Sequence, residues 1–388
     1  RWLLRMYFAD EKKMPMRTKF ASFLRRTMYP DVARVEDAFG ESTVMRRFKG
    51  KNVAIASSGG PDSLALCLLV KSWMKKCDEQ NKIKVFTVNH GLRDESEREV
   101  ERVRRWTTEV MGFEHHSRTI EWEDTSKSST HARSKTKRED LLREMCELHG
   151  VDVLLLGHHA DDQIETMLQR VYKASGLSGL SSIPSLRRLG YYGTQIARPL
   201  LHFRKHQLVQ TCEAYGFENY VRDPSNEDER FDRARIRNVL RRRDEEKVVA
   251  SLLNLTESCR EAEERVREEI LKLLTRDRII RTNDFYNFAM LDLKGFEQLS
   301  DTLQRRVLSY VLYRLFEERR RFHEKKKQTN TTTTHRYMFS FVSPFDSYKV
   351  RSETLERFIK LLRKEGGGGE TLRLKRNFTA ALGLAGRW

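Results

Sequence analysis

Short apolar runs alternate along the chain with amphipathic stretches, and the two periods sort its first half into elements. Residues 53–56 (VAIA) are apolar and flanked by polar residues, which predicts a short buried strand. Leu64, Leu66, Leu68, Leu69 and Trp73 then carry a helix over 62–75. "KVFTVNHG" (84–91) predicts a second strand ending in a polar loop, and 94–112 has helical spacing through Val100, Val103, Trp106 and Val110. Another helix is expected over 131–150, closed by Gly150, a residue suited to a left-handed C-terminal cap. "VDVLLLGHH" (151–159) predicts a third strand, and its unbroken apolar run suits a central parallel strand covered on both faces. A helix over 160–173 follows.

Strands alternating with helices predict an α/β fold, a doubly wound parallel sheet over about 50–200. All three expected strands end in polar clusters, SSGGPDS, NHGLRDES and GHHADDQ. Ligands of such sheets bind at the carboxyl ends of the strands, so these clusters should converge on one site. Beyond residue 245 the pattern is helical and densely charged, and 285–316 is expected to continue as helix. "RRRFHEKKKQTNTTTTHR" (319–336) is of low complexity; a helix at 353–364 and "GGGG" (366–369) precede a short basic tail. The expected organisation is an N-terminal extension (1–50), an α/β domain (51–215), a mainly helical region (216–318), the insertion (319–336) and a small C-terminal segment (337–388).

Charge adds a partner class. Lys plus Arg number 74 against 56 Asp plus Glu, a formal charge of +18. Such an excess favours a polyanion such as nucleic acid, or an anionic membrane surface; solubility charge with a basic leader is the plainer source. No apolar run approaches the ~20 residues that cross a bilayer, so no membrane span is expected. The stretch Met14–Pro30 holds four basic residues and no acidic one, with Phe20, Phe23 and Leu24 spaced to share a helical face. It reads as an organelle transit peptide, for mitochondrion or plastid, or as an ordinary basic helix of a cytoplasmic protein. The five cysteines form no C-x-x-C pair, which argues against a disulfide scaffold, a zinc ribbon or a cysteine-ligated cluster.

The knot at Ser57–Ser63 carries the chemistry. Gly59 and Gly60 let backbone N–H groups approach a phosphate, and the following helix presents its positive end to the same anion. Ser58 and Ser63 add hydroxyl donors. Asp62 repels phosphate, so its presence implies a bridging divalent cation, and the knot reads as a pyrophosphate cradle with magnesium. The lysine of a Walker loop and the spacing of a Rossmann fingerprint are both missing, and a purely structural tight turn is the competing reading.

S-G-G-x-D-S after a first strand resembles the motif of the PP-loop ATP pyrophosphatases. Further segments resemble, in order, those of the tRNA(Ile)-lysidine synthetase family: "VNHGLRDES" (88–96), "LLLGHHADDQIETMLQR" (154–170), "SGLSGLSSIP" (175–184), "ARPLLHFRKHQL" (197–208) and "VRDPSNEDERFDRARIRNVLR" (221–241). The resemblance covers about 53–241, with a weaker match at 353–375. It implies an enzyme that uses ATP to adenylate the C2 oxygen of a tRNA wobble cytidine, after which the amine of L-lysine displaces AMP. Carried onto this sequence, Ser58, Gly59, Gly60, Pro61, Asp62 and Ser63 form the ATP loop, with His90 beside the nucleotide. Asp62 and Asp162 hold Mg2+ and are the catalytic pair; Arg133, Arg233, Arg237 and Arg241 contact tRNA; the family's usual dimer is implied as well.

The residues keep plainer readings beside these. Asp161 or Asp162 could be a helix cap or first-turn acid. His158 and His159 are conceivable metal ligands, yet adjacent residues of an extended strand point to opposite sides. The arginines at 233, 237 and 241 line one helical face that could simply be solvated. Thr136 and Lys137 stand where the family has Arg and Tyr, and Ala234 replaces a usual Asn. The competing functions are a thiolation-type PP-loop tRNA-modifying enzyme and a catalytically silent RNA-binding protein.

Overall fold

Pro30 presets the backbone for a helix start, and α1 (Pro30–Glu41) follows, burying Val32, Val35 and Phe39. The computed structural model describes residues 27–77, 83–91, 95–122, 131–189, 194–221, 236, 245–275, 280–283, 288–309 and 371–375. After the one-turn helix α2 (Thr43–Arg46), the VAIA run becomes β1 (Val53–Ala56), and the polar knot opens α3 (Pro61–Cys77). Next come β2 (Lys84–Asn89), α4 (Ser96–Arg105) with a wider π turn over Trp106–Val110, and β3 (Glu114–Thr119). Then follow α5 (His131–Leu148), β4 (Val153–Leu156), α6 (Ala160–Tyr172) and the short α7 (Leu177–Leu180). β5 (Leu186–Arg188), β6 (Gln195–Ala197) and α8 (Lys205–Ala214) complete this part.

The six strands form one sheet in the order β3-β2-β1-β4-β6-β5. Every pairing is parallel except that of the edge strand β5 with β6. Side chains alternate across the strands. Val53, Ile55, Val85, Val153 and Leu155 enter one core with Phe39 of α1, Leu66 and Leu69 of α3 and Leu208 of α8. Ala54, Phe86, Leu154 and Ile196 enter the other, with Leu142 and Met145 of α5. Each such Val, Leu or Ile side chain contributes roughly 1.5–3 kcal/mol on burial. Coverage of both faces explains why the central strands are apolar throughout.

Three features depart from the sequence expectation. The sheet has six strands rather than three: β3 is polar and largely exposed, so no apolar alternation marks it, and it forms by pairing with β2 over six registered positions. β5 and β6 are three residues each, too short to show a period. The boundary at residue 50 falls inside the structural unit, because Val35, Phe39, Met45 and Phe48 belong to the same core as β1.

The chain divides into two compact units, Arg1–Arg260 and Glu261–Trp388. The long helix α9 (Glu245–Thr275) begins in the first, where Thr256 donates to Met167 of α6. In the second unit, β7 (Ile280–Asn283), β8 (Phe288–Asp292) and β9 (Thr371–Lys375) form an antiparallel sheet, with the short α10 (Leu293–Glu297) and helical residues 301–309. The helix expected over 285–316 is thus interrupted: 288–292 are drawn into pairing with 371–375, a partner about eighty positions away that local periodicity does not see. Arg306 clamps Glu263 through two hydrogen bonds of 2.5 and 2.6 Å.

Among the described residues no helix is long and apolar enough to cross a membrane. Most of the basic stretch 14–30, the arginines at 233, 237 and 241, the insertion at 319–336 and the helix expected at 353–364 lie outside the described residues.

Candidate functional site

The strand order turns back at β1: the chain moves from β1 to β2 on one side and returns to β4 on the other. A crevice opens at such a reversal, at the carboxyl ends of the two strands. The loops leaving those ends are Ser57–Gly60 and Gly157–His159, so topology brings SGGPDS and GHHADDQ together.

The first loop is tied down from inside. Ser57 N–H donates to the Phe86 carbonyl (2.9 Å), and the Thr87 hydroxyl donates to the Ser57 carbonyl (3.0 Å). His115 Nε2 lies 2.9 Å from that hydroxyl and can only donate to it. Burial pushes the His115 pKa down to about 4, with the charges of His116 and Arg104 adding to it, so the ring is neutral. Gly59 has φ +77°, and a Cβ there would lie 2.6 Å from Val103 and 2.8 Å from Val221. Glycine is therefore required both for its backbone conformation and for space. Its carbonyl accepts from the Val221 amide at 2.9 Å.

Ser63, expected as a phosphate donor, is turned inward. Its buried hydroxyl donates to the Gly60 carbonyl (3.1 Å) and accepts from Ser58 N–H (3.2 Å), closing the knot on itself. Ser58 stays exposed on the loop, and the opening turn of α3 directs its positive end at the same place. The thiol of Cys212 on α8 donates to the Pro61 carbonyl at 3.3 Å and pins that turn from behind.

The second loop carries a capping box: the Asp162 carboxylate accepts from His159 N–H at 3.1 Å, and Asp162 N–H lies 3.4 Å from His159 Nδ1. Asp162 is thus both the expected site acid and a helix-capping group. Asp62 Oδ1 and Asp162 Oδ2 each lie 3.6 Å from His159 Nε2, and Asp161 Oδ2 lies 3.5 Å from Nδ1. Burial opposes a charge on His159, but the carboxylates of Asp161, Asp62 and Asp162 gathered around the ring raise its pKa to about 10. An imidazolium cannot accept from Asp162 N–H. With the ring charged, Nδ1 carries a proton directed at Asp161 Oδ2, and the 3.4 Å approach of the Asp162 amide is a contact rather than a hydrogen bond.

His159 is therefore a buried cation around which three carboxylates gather, a role the sequence reading did not give it. Asp161 is turned away to hold α8, accepting from Arg204 Nε (3.0 Å) and Lys205 N–H (2.7 Å). Burial works against its charge, but His159, the Lys205 amide and Arg204 hold its carboxyl well below the usual range. Asp62 and Asp162 remain partly exposed, at 27% and 17% of their side chains, and Lys205 Nζ stands 3.9 Å from Asp62. Two convergent, accessible carboxylates are hard oxygen donors of the kind Mg2+ takes, and the site fits that ion.

The remaining residues rim the crevice. His90 follows β2; its Nδ1 lies 3.0 Å from the Ser134 hydroxyl, and its carbonyl accepts from Trp122 Nε1 at 2.8 Å. Arg133, beside Ser134 on α5, is exposed. Arg198 is buried and was not singled out from sequence: it donates to the Pro184 carbonyl (2.8 Å) and from Nε to His158 Nδ1 (3.3 Å). Burial, with Arg198 beside it, pulls the His158 pKa down to about 4. The signal for Arg198 was present in the segment "ARPLLHFRKHQL", but nothing local distinguishes it from its basic neighbours.

A doubly wound sheet with a glycine turn, a helix N-terminus and convergent carboxylates at its switch point defines a nucleotide-binding domain of the PP-loop kind. The model of the PP-loop domain family matches residues 31–243. The tRNA(Ile)-lysidine synthase of Wolbachia pipientis wMel is 32% identical over 267 residues, 68% of this chain and 59% of that protein. The tRNA(Ile)-lysidine synthase of Methylobacterium nodulans is 34% identical over 259 residues, 66% of this chain and 73% of that protein. The chain belongs to the PP-loop family and, among its members, groups with the tRNA(Ile)-lysidine synthases. It spans about three fifths of the Wolbachia protein's length. Among solved structures, the U34-tRNA thiolase NcsA of Methanococcus maripaludis aligns over 58% of this chain and 79% of its own, with a TM-score of 0.48 at 16% identity.

Proposed function

We propose that this chain ligates L-lysine to C2 of the wobble cytidine of a tRNA(Ile) with a CAU anticodon. The cytidine C2 oxygen attacks the α-phosphorus of ATP and pyrophosphate leaves; the lysine amine then adds at C2, and AMP departs with that oxygen. The observation that carries the reading is the meeting of the SGGPDS turn with Asp62 and Asp162 around His159 at the β1–β4 switch point. Asp62 and Asp162 would hold Mg2+, which supplies charge neutralisation for the leaving pyrophosphate. The loop amides and the α3 N-terminus bind the phosphates, and His159 holds the two carboxylates in place. The +18 charge and the exposed Arg133 supply attraction for tRNA. The acid-free stretch at 14–30 supports import into a mitochondrion or plastid.

The thiolation alternative needs reactive thiols. Burial raises Cys67 and Cys146 to about 12 and moves Cys212 the same way, so these three stay protonated and unreactive. The test is to incubate the protein with tRNA, labelled lysine, ATP and Mg2+, follow AMP and pyrophosphate, and analyse the nucleosides by mass spectrometry. Lysidine is expected in the wild type, while Asp62→Asn binds tRNA but releases no AMP. Absence of tRNA-dependent AMP release from folded protein would reject the enzyme. A sulfur-bearing nucleoside in a parallel incubation with a sulfide donor in place of lysine would select the thiolase, and full turnover by Asp62→Asn would remove the carboxylate from the chemistry.

A further inference from the structure

We propose that Glu114, His116 and His149 form a second metal site, for a divalent transition-metal cation of the Zn2+ class, at the amino edge of the sheet. One ligating atom from each residue lies within 4.8 Å of the other two. Glu114 opens β3 and His116 stands two positions on, so strand alternation puts both on one face. His149 follows the last turn of α5 and reaches the same spot, its ring 3.9 Å from that of His116 at 36°. The strands are parallel, so this edge is opposite the one carrying Ser58, Asp62 and His159.

The donor set decides the ion. Two imidazoles and one carboxylate suit Zn2+, Co2+ or Ni2+, whereas Mg2+ and Ca2+ prefer oxygen alone. The floor is apolar: the buried Phe86 ring lies 6.0 Å from His116 and 5.6 Å from His149. Glu114 Oε1 and His116 Nε2 are 2.7 Å apart, closer than two ligands of one Zn2+ stand, and a small swing of the carboxylate makes room. Lys84, registered beside Glu114, and Arg118, two positions beyond His116, oppose a cation and keep affinity below that of an all-cysteine site. Three protein ligands leave a fourth position for water, and the bound ion would staple the end of α5 to the edge strand.

The test uses the full chain in chelator-free buffer with excess MgCl2, so that the carboxylates at the nucleotide turn are already engaged. Titration with CoCl2 is expected to give one ion per chain, visible d–d bands and no thiolate charge-transfer band. ZnCl2 should displace the cobalt and raise the Tm. His149→Ala is expected to weaken binding at least tenfold, and so is the double variant Glu114→Gln/His116→Gln, which decides the matter if His149→Ala misfolds. Binding unchanged in both variants, a thiolate band, or no binding at all would overturn the proposal and leave a Glu–His pair with a stacked ring.

Discussion

Gly157 closes β4 where α3 begins, and replacing it with Ala probes whether these two elements touch as described. Its φ is one that any residue adopts, so the effect is purely one of space. A Cβ at 157 would lie 3.1 Å from the Asp62 carbonyl carbon, the Asp62 oxygen and the Ser63 nitrogen. All three are backbone atoms and cannot rotate away. Ordinary contact is about 3.5 Å, so the first turn of α3 must retreat by about 0.4 Å. Overpacking of this kind costs about 1–3 kcal/mol, while the stiffer unfolded chain returns about 0.4–1 kcal/mol. The net is a destabilisation of up to about 2.6 kcal/mol, centred near about 1.3 kcal/mol, where the Tm fall is about 3–5 °C for a unit of this size. Catalysis should suffer more than stability. Asp62 rides on the displaced turn, and since a 1 Å misplacement costs about 100-fold, a shift of about 0.4 Å should cost roughly 5–10-fold in AMP release. Differential scanning fluorimetry with a pyrophosphate-release assay at saturating ATP and tRNA measures both. Wild-type Tm together with wild-type turnover would refute the contact and the role built on it.

Three further outcomes follow from the packing and the charges. Tyr215→Phe removes the hydroxyl that lies 2.6 Å from the buried Glu36 carboxylate, and should lower stability by about 1–3 kcal/mol in urea titrations; no change would detach α1 from this unit. Gln163→Leu strips a buried amide that donates to the Leu201 carbonyl (3.1 Å) and accepts from Arg260 (2.7 Å), and should cost about 2–4 kcal/mol by the same measurement. Stability should peak near pH 6.5. His158 and His115, both held near 4 in the fold, let the unfolded chain bind protons first as pH falls below 6.5, a loss of stability that is complete near pH 4. His159, raised to about 10, contributes fully below pH 6.5 and loses that contribution as pH climbs through 10. Tm measured from pH 5 to 10 checks both limbs, and His159→Gln should flatten the alkaline one.

What the sequence determined by itself is whatever short-range pattern encodes. The VAIA and VLLL strands announced themselves because both faces are covered, which leaves no polar alternation to confuse the reading. The turn at Ser57–Ser63 was legible because glycine, proline and aspartate leave the backbone few alternatives there. Tertiary structure alone decided what depends on partners distant in sequence. β3 is a strand only because β2 offers it hydrogen bonds, and residues 288–292 are a strand only because 371–375 lie beside them. Ser63 carries the hydroxyl a phosphate site would want, yet the closed knot claims it. His159 read only as a conceivable metal ligand at a strand end; in the fold Asp62, nearly a hundred positions earlier, stands 3.6 Å from its ring and makes it an ion-pair partner instead. A charge is set by whatever surrounds it in three dimensions, and no window on the chain contains that environment.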